Sequence, residues 1–91
     1  MSVKIKLFAK IAEKAGQREI EVDVSNVREA FEILEERYEG LQGELFKADE
    51  KKIRDNITVI KDGRNITYLQ GLETGLKDGG KLSVFPLVGG G

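Results

Sequence analysis

From Val3 to Leu7 the chain alternates, with Val3, Ile5 and Leu7 apolar and Lys4 and Lys6 charged. A period of two is what a strand with one buried face requires. The run Glu19 to Val24 repeats it, with Ile20, Val22 and Val24 inward and Glu19, Glu21 and Asp23 outward. Ala15 and Gly16 lie between the two runs, so the pattern predicts a hairpin that turns there. The period then changes. Val27, Ala30, Phe31, Leu34 and Tyr38 fall at i, i+3, i+4, i+7 and i+11, the stripe of one amphipathic helix. Asn26 with Glu29 three residues on reads as a capping box, and Gly40 suits a left-handed residue just past the helix end.

The middle, "LQGELFKADEKKIRDN", is rich in charge and predicts a short helical turn near Leu45 and Phe46 followed by a solvated loop. "ITVI", the turn "KDGR" and "NIT" make a second hairpin, because Asp-Gly supplies the positive φ angles of a tight turn. Leu72 and Leu76, in a connector broken by glycine, are expected to plug the open edge of the core. "KDGG" turns the chain into a last strand, "KLSVF", which Pro86 stops by removing a backbone donor. The order is β-β-α-β-β-β around a single helix. It predicts one α+β domain over residues 1–86, with a mixed sheet of four to five strands and one main helix across one face. A flexible tail, 87–91, ends in Gly-Gly.

Composition narrows the function. The 91 residues contain no cysteine and no histidine, which removes disulfides, the usual transition-metal ligands and the usual neutral-pH general base. An independent active site is therefore not expected, nor a metal or a cofactor bound by the chain itself. Fifteen Lys and Arg stand against 16 Asp and Glu, for a net charge of −1 with the signs interspersed. That balance offers no footprint for nucleic acid or an anionic membrane. No run approaches the ~20 apolar residues of a membrane span and no signal-peptide core is present, so the expected location is cytoplasmic.

The strand and helix order is that of the β-grasp, or ubiquitin-like, arrangement. Over nearly its whole length the sequence resembles the sulfur-carrying small subunit of molybdopterin synthase, the MoaD group of ubiquitin-like carriers. The resemblance lies in "VKIKLFAKIAEKAG", "EVDVSNVREAFEILEERYEGL", "DGRNI", "GLETGLKDGGKLSVFP" and the final Gly90-Gly91. It implies a non-catalytic carrier whose Gly91 is adenylated by an E1-like enzyme using ATP. A sulfur donor then converts it to a thiocarboxylate, and the sulfur passes to a pterin precursor inside a MoaE-like large subunit. Catalytic side chains are expected on that subunit. Two alternatives stay open: a ubiquitin-like modifier joined through Gly91 to lysines of target proteins, and a carrier supplying sulfur to a thiamine thiazole, a tRNA base or an amino acid.

The chemistry of the tail supports such a role. A terminal carboxylate, with an ordinary pKa of about 3.3–3.7, is ionised at neutral pH and must be activated before any nucleophile attacks it. Glycines at 89, 90 and 91 let the thread enter a narrow channel, because no β-carbon widens it or restricts its backbone. Five extended residues from Leu87 span at most ~17 Å, enough to reach a buried site from outside.

Strand parity suggests the surface a partner would hold. If Val3, Ile5 and Leu7 face the helix, Phe8 faces away with Lys4 and Lys6, and Phe85 likewise points outward beside Lys81 and Ser83. Ile60 is outward where Ile57 and Val59 are core. With the first and last strands parallel neighbours, as in a β-grasp sheet, Phe8 and Phe85 meet near the root of the tail. The expected partner-binding residues are Phe8, Ile60, Phe85, Leu87 and Val88. Alternatively, Phe8 could end its strand on a bulge and turn inward, and Phe85, Leu87 and Val88 could fold back over an exposed edge.

Overall fold

The computed structural model describes residues 2–47 and 52–86. Its strands are β1 (Ser2–Leu7), β2 (Glu19–Asp23), β3 (Ile57–Lys61), β4 (Arg64–Asn65) and β5 (Lys81–Pro86), and its α-helices are α1 (Ala9–Ala15) and α2 (Val27–Arg37). The strands form one mixed sheet in the order β2-β1-β5-β3-β4. β1 and β5 run parallel at its centre, and the other pairs are antiparallel. This is the α+β, ubiquitin-like β-grasp fold.

Alternation places the core where the pattern put it. Val3, Ile5, Leu82 and Val84 are fully buried on the inner face of the sheet, against Val27, Ala30, Phe31 and Leu34 of α2. Leu72 and Leu76 of the connector are buried as well. The connector is laced to the start of α2, where the Val27 N–H donates to the Thr74 carbonyl and the Leu76 N–H to that of Ser25. The Asn26 side chain accepts from the Glu29 N–H at 2.8 Å, as a capping box requires. The reciprocal arm closes one residue earlier than the usual box: Glu29 Oε1 accepts from both the N–H and the hydroxyl of Ser25, each at 2.8 Å.

Four local expectations are corrected. The first two strands do pair, but α1 replaces the tight turn, so two α-helices flank the sheet rather than one. Ile11, Ala12 and Ala15 repeat at helical spacing and pack on the core, and Gly16, at φ 75°, closes the helix in the left-handed region. At only seven residues, α1 is too short to dominate a periodicity reading.

Gly40 is not a left-handed cap, because α2 ends at Tyr38 with extended backbone. Gly40 instead lies in a 3-10 turn, Glu39–Leu41, where a β-carbon would come 2.0 Å from the Lys14 carbonyl oxygen. Glycine is required there by the close approach of α1, not by its φ angle.

Leu45 and Phe46 form no helical turn and are core residues, 0% and 6% exposed. Glu35 Oε2 accepts from both of their N–H groups at 2.9 Å, which holds the segment against α2. Phe46 meets Phe31 edge-on, at 5.9 Å between centroids. Of the loop that follows, residues 48–51 lie outside the described residues.

The second hairpin turns on Asp62 and Gly63, at φ 47° and 89°. Its return strand, β4, is only two residues long before a 3-10 turn (Ile66–Tyr68) replaces the expected extended "NIT". The Asn65 side chain accepts from the Thr67 N–H and so starts that turn.

Candidate partner-binding surface

The sheet face away from α2 carries the side chains that the alternation turned outward. Leu7 is in register with Val84 across the parallel pair, and the Phe8 N–H donates to the Val84 carbonyl at 3.2 Å, carrying the ladder one step past the strand. Phe8 and Phe85 therefore leave the same face side by side. Their rings are stacked, 4.3 Å between centroids and 14° from parallel. Phe8 is 37% exposed and one of two large exposed hydrophobic residues among those described. It does not turn inward on a bulge.

Phe85 is half-buried beneath it, in register with Thr58 of β3, and Ile60 is half-buried beside Ser83. Phe8, Phe85 and Ile60 thus share one face, with Ile60 one pleat further from the strand end. Leu87, Val88, Gly89, Gly90 and Gly91 lie outside the described residues.

The backbone after Phe8 is unusual. Ala9 has φ 51°, in a region that costs a residue with a β-carbon roughly 1–2 kcal/mol. It turns the chain from β1 straight into α1, with the Phe8 carbonyl accepting from the Ile11 N–H at 3.1 Å. An open groove of about 860 Å³ runs beside Phe8, walled by Ala12, Glu13 and Gly16 of the α1 segment and by Arg18. Sequence reasoning missed this groove because it did not place α1; the spacing of Ile11, Ala12 and Ala15 before Gly16 is the signal that would have found it.

Charge on this face is arranged by strand. Lys4 lies opposite Glu21 and Lys6 opposite Glu19 across β1 and β2, and Lys4 Nζ reaches Glu19 at 3.7 Å. On the other side of β1, Lys4 lies beside Lys81 and Lys6 beside Ser83. Among the described residues no group of three or more His, Cys, Asp or Glu side chains could hold a metal ion, and no helix is long and apolar enough to cross a membrane. The surface offers an aromatic grip and cations.

The ThiS family model matches residues 5–91, from β1 through Gly91. The chain belongs to the ThiS family. Its relatives include small archaeal modifier protein 3 of Haloferax volcanii, 36% identical with the whole of both chains aligned. A protein of Archaeoglobus fulgidus that bears the provisional name sulfur carrier protein is 30% identical, again over the whole of both. Among solved structures, the solution structure of small archaeal modifier protein 1 from Methanosarcina acetivorans superposes with a TM-score of 0.88 at 37% identity. It covers 99% of this chain and 96% of that one. These ThiS-family relatives are named as modifiers and as a sulfur carrier, so the resemblance holds at the level of ubiquitin-like carriers and modifiers. The narrower molybdopterin synthase assignment is not what these three names carry.

Proposed function

We propose that this ThiS-family chain is a ubiquitin-like protein modifier, activated at the Gly91 carboxylate and joined to lysine side chains of target proteins. An E1-like enzyme would condense that carboxylate with ATP, releasing pyrophosphate and leaving an acyl-adenylate. A lysine amine then attacks the carbonyl, AMP departs, and an isopeptide bond remains. The observation that carries this reading is the end-to-end match to archaeal modifier proteins at 36–37% identity. The stacked Phe8–Phe85 pair fits it physically. An exposed aromatic patch on a small domain is what a partner anchors on, and β5 carries it directly before the tail.

A second reading is favoured by the sulfur-carrier relative and by the family itself. Hydrosulfide, or another sulfide-level donor, attacks the carbonyl of the same adenylate, AMP departs, and a thiocarboxylate remains at Gly91 for an acceptor enzyme to consume. A pterin precursor within a MoaE-like large subunit, the acceptor implied by the sequence resemblance, is one such destination.

One experiment separates the two. The purified chain and a Gly91-deleted form are incubated with the cognate E1-like enzyme and ATP, once with hydrosulfide and once with a cell extract, and products are followed by intact mass and peptide mapping. Gly91 linked to lysine Nζ in extract proteins supports the modifier. A mass gain equal to one oxygen replaced by sulfur, without adducts, moves the assignment to the carrier. Neither product from the full-length chain overturns both.

A further inference from the structure

Within the sheet the lysines of β1 stand opposite acids of β2 on one side and beside a further lysine of β5 on the other. Toward β2 every lysine of β1 meets an acid, Lys4 opposite Glu21 and Lys6 opposite Glu19. Toward β5, Lys4 meets Lys81, a like pair on neighbouring parallel strands, where spacing is about 4.8 Å. Like charges directly opposite across strands are destabilising, so this arrangement does nothing for the isolated domain. Lys4 has Glu19 at 3.7 Å, whereas the ammonium groups of Lys6 and Lys81 have no ion-pair partner among the described residues. Both flank Ser83 on the open face, Lys6 across the ladder and Lys81 along the strand, and Phe85 with its stacked Phe8 follows at the next outward position of β5.

Resting on the reading that an activating enzyme grips this face, we propose that its docking surface is acidic where it covers Lys6 and Lys81. Carboxylates of the enzyme face the two ammonium groups while an apolar pocket receives Phe8 and Phe85. The outer strand decides the class of partner. Glu19, Glu21 and Asp23 line β2 immediately beside the lysines, and the chain's net charge is −1. A phosphate backbone crossing the face would run onto those acids, whereas carboxylates confined to β1 and β5 meet Lys6 and Lys81 first, with the Asp62 carboxylate, which accepts from the Lys81 N–H at 3.0 Å, at the edge of that footprint. The same asymmetry sets orientation, since a partner rotated to bring its acids over β2 is repelled. Charge of this kind acts chiefly on encounter rate and register, and less on the final affinity.

The test is the E1-like enzyme's adenylation of the full chain, read as pyrophosphate release. Wild-type KM is expected to rise steeply with added salt while kcat changes little, because exposed charges are screened over about 8–10 Å at physiological ionic strength. The double variant Lys6→Gln/Lys81→Gln should raise KM about tenfold at low salt and flatten the salt dependence, with kcat within about twofold. Lys77→Gln, in the connector, should match wild type. Glutamine introduces no new repulsion, and a thermal melt confirms that each variant is folded. Equal KM values and equal salt slopes for wild type and the double variant overturn the inference and leave the proposed function standing. Lysine-dependent retention of a single-stranded RNA oligomer with KM unchanged also overturns it. Absence of adenylation of the folded wild-type chain overturns the proposed function itself, and the inference with it.

Discussion

Phe8 and Phe85, from opposite ends of the chain, stack at 4.3 Å on the sheet face that α2 leaves uncovered. Their contact depends on the parallel pairing of β1 with β5, and it places two aromatic rings at the end of the strand that leads to the tail. An offset aromatic pair contributes about 0.5–1.5 kcal/mol beyond its buried area. Phe8→Ala loses that term together with the ring area covered in the fold and should lower stability by about 1–3 kcal/mol, yet weaken adenylation by the activating enzyme more than tenfold through KM, as loss of an interface anchor does. Thermal unfolding beside adenylation kinetics checks it. A fall in stability with unchanged KM would make the pair a structural clasp only.

Gly40 is held by space. Its absent β-carbon would sit 2.0 Å from the Lys14 carbonyl oxygen, a backbone atom that cannot swing away. Gly40→Ala must push α1 from the 3-10 turn and should cost about 1–3 kcal/mol in denaturant unfolding. Gly43, whose β-carbon would meet nothing within 4 Å, has φ 76° and should cost about 1 kcal/mol on replacement by alanine, for backbone reasons alone.

The Glu35 carboxylate satisfies two adjacent backbone donors, those of Leu45 and Phe46. Glu35→Ala leaves both without a partner in a partly buried setting, where each unsatisfied group costs about 1–3 kcal/mol. A loss of at least about 2 kcal/mol is expected, with faster amide hydrogen exchange at residues 45 and 46. Glu35→Gln keeps a carbonyl acceptor and should recover much of it.

The titration of Glu29 is displaced by its place in the capping box. Hydrogen bonds from the Ser25 backbone, then from the Ser25 hydroxyl, hold its pKa below the ordinary 4.5. A depressed folded value means that the box contributes stability above the unfolded pKa and loses it as pH falls through the folded one. Glu29→Gln should therefore narrow the difference in melting temperature between neutral pH and pH values below about 4. The group is exposed, so the change is small, and an unaltered acid profile would show that the box does not couple to folding.

The repeating features of this fold were legible in the sequence because they are local. Alternation at Val3–Leu7 and Ile20–Val24, the stripe from Val27 to Tyr38, and the Asp62-Gly63 turn each record a backbone geometry within a few residues. Strand parity also assigned Phe8, Phe85 and Ile60 to the outer face, since side-chain direction in a strand follows from counting. The family match adds that this is a ubiquitin-like carrier or modifier, a statement that topology alone does not supply. Tertiary structure decided what depends on residues far apart. Helix α1 is only seven residues long, and it takes its stability from Ile11 packing on the core rather than from its own propensity. Gly40 is small because Lys14 approaches it, and Leu45 and Phe46 are buried because Glu35 and Phe31 receive them. The bare cations of Lys6 and Lys81 emerge only when β5 is laid beside β1. No pattern read along one strand reports which charge stands on the next, because that neighbour is set by how the chain returns.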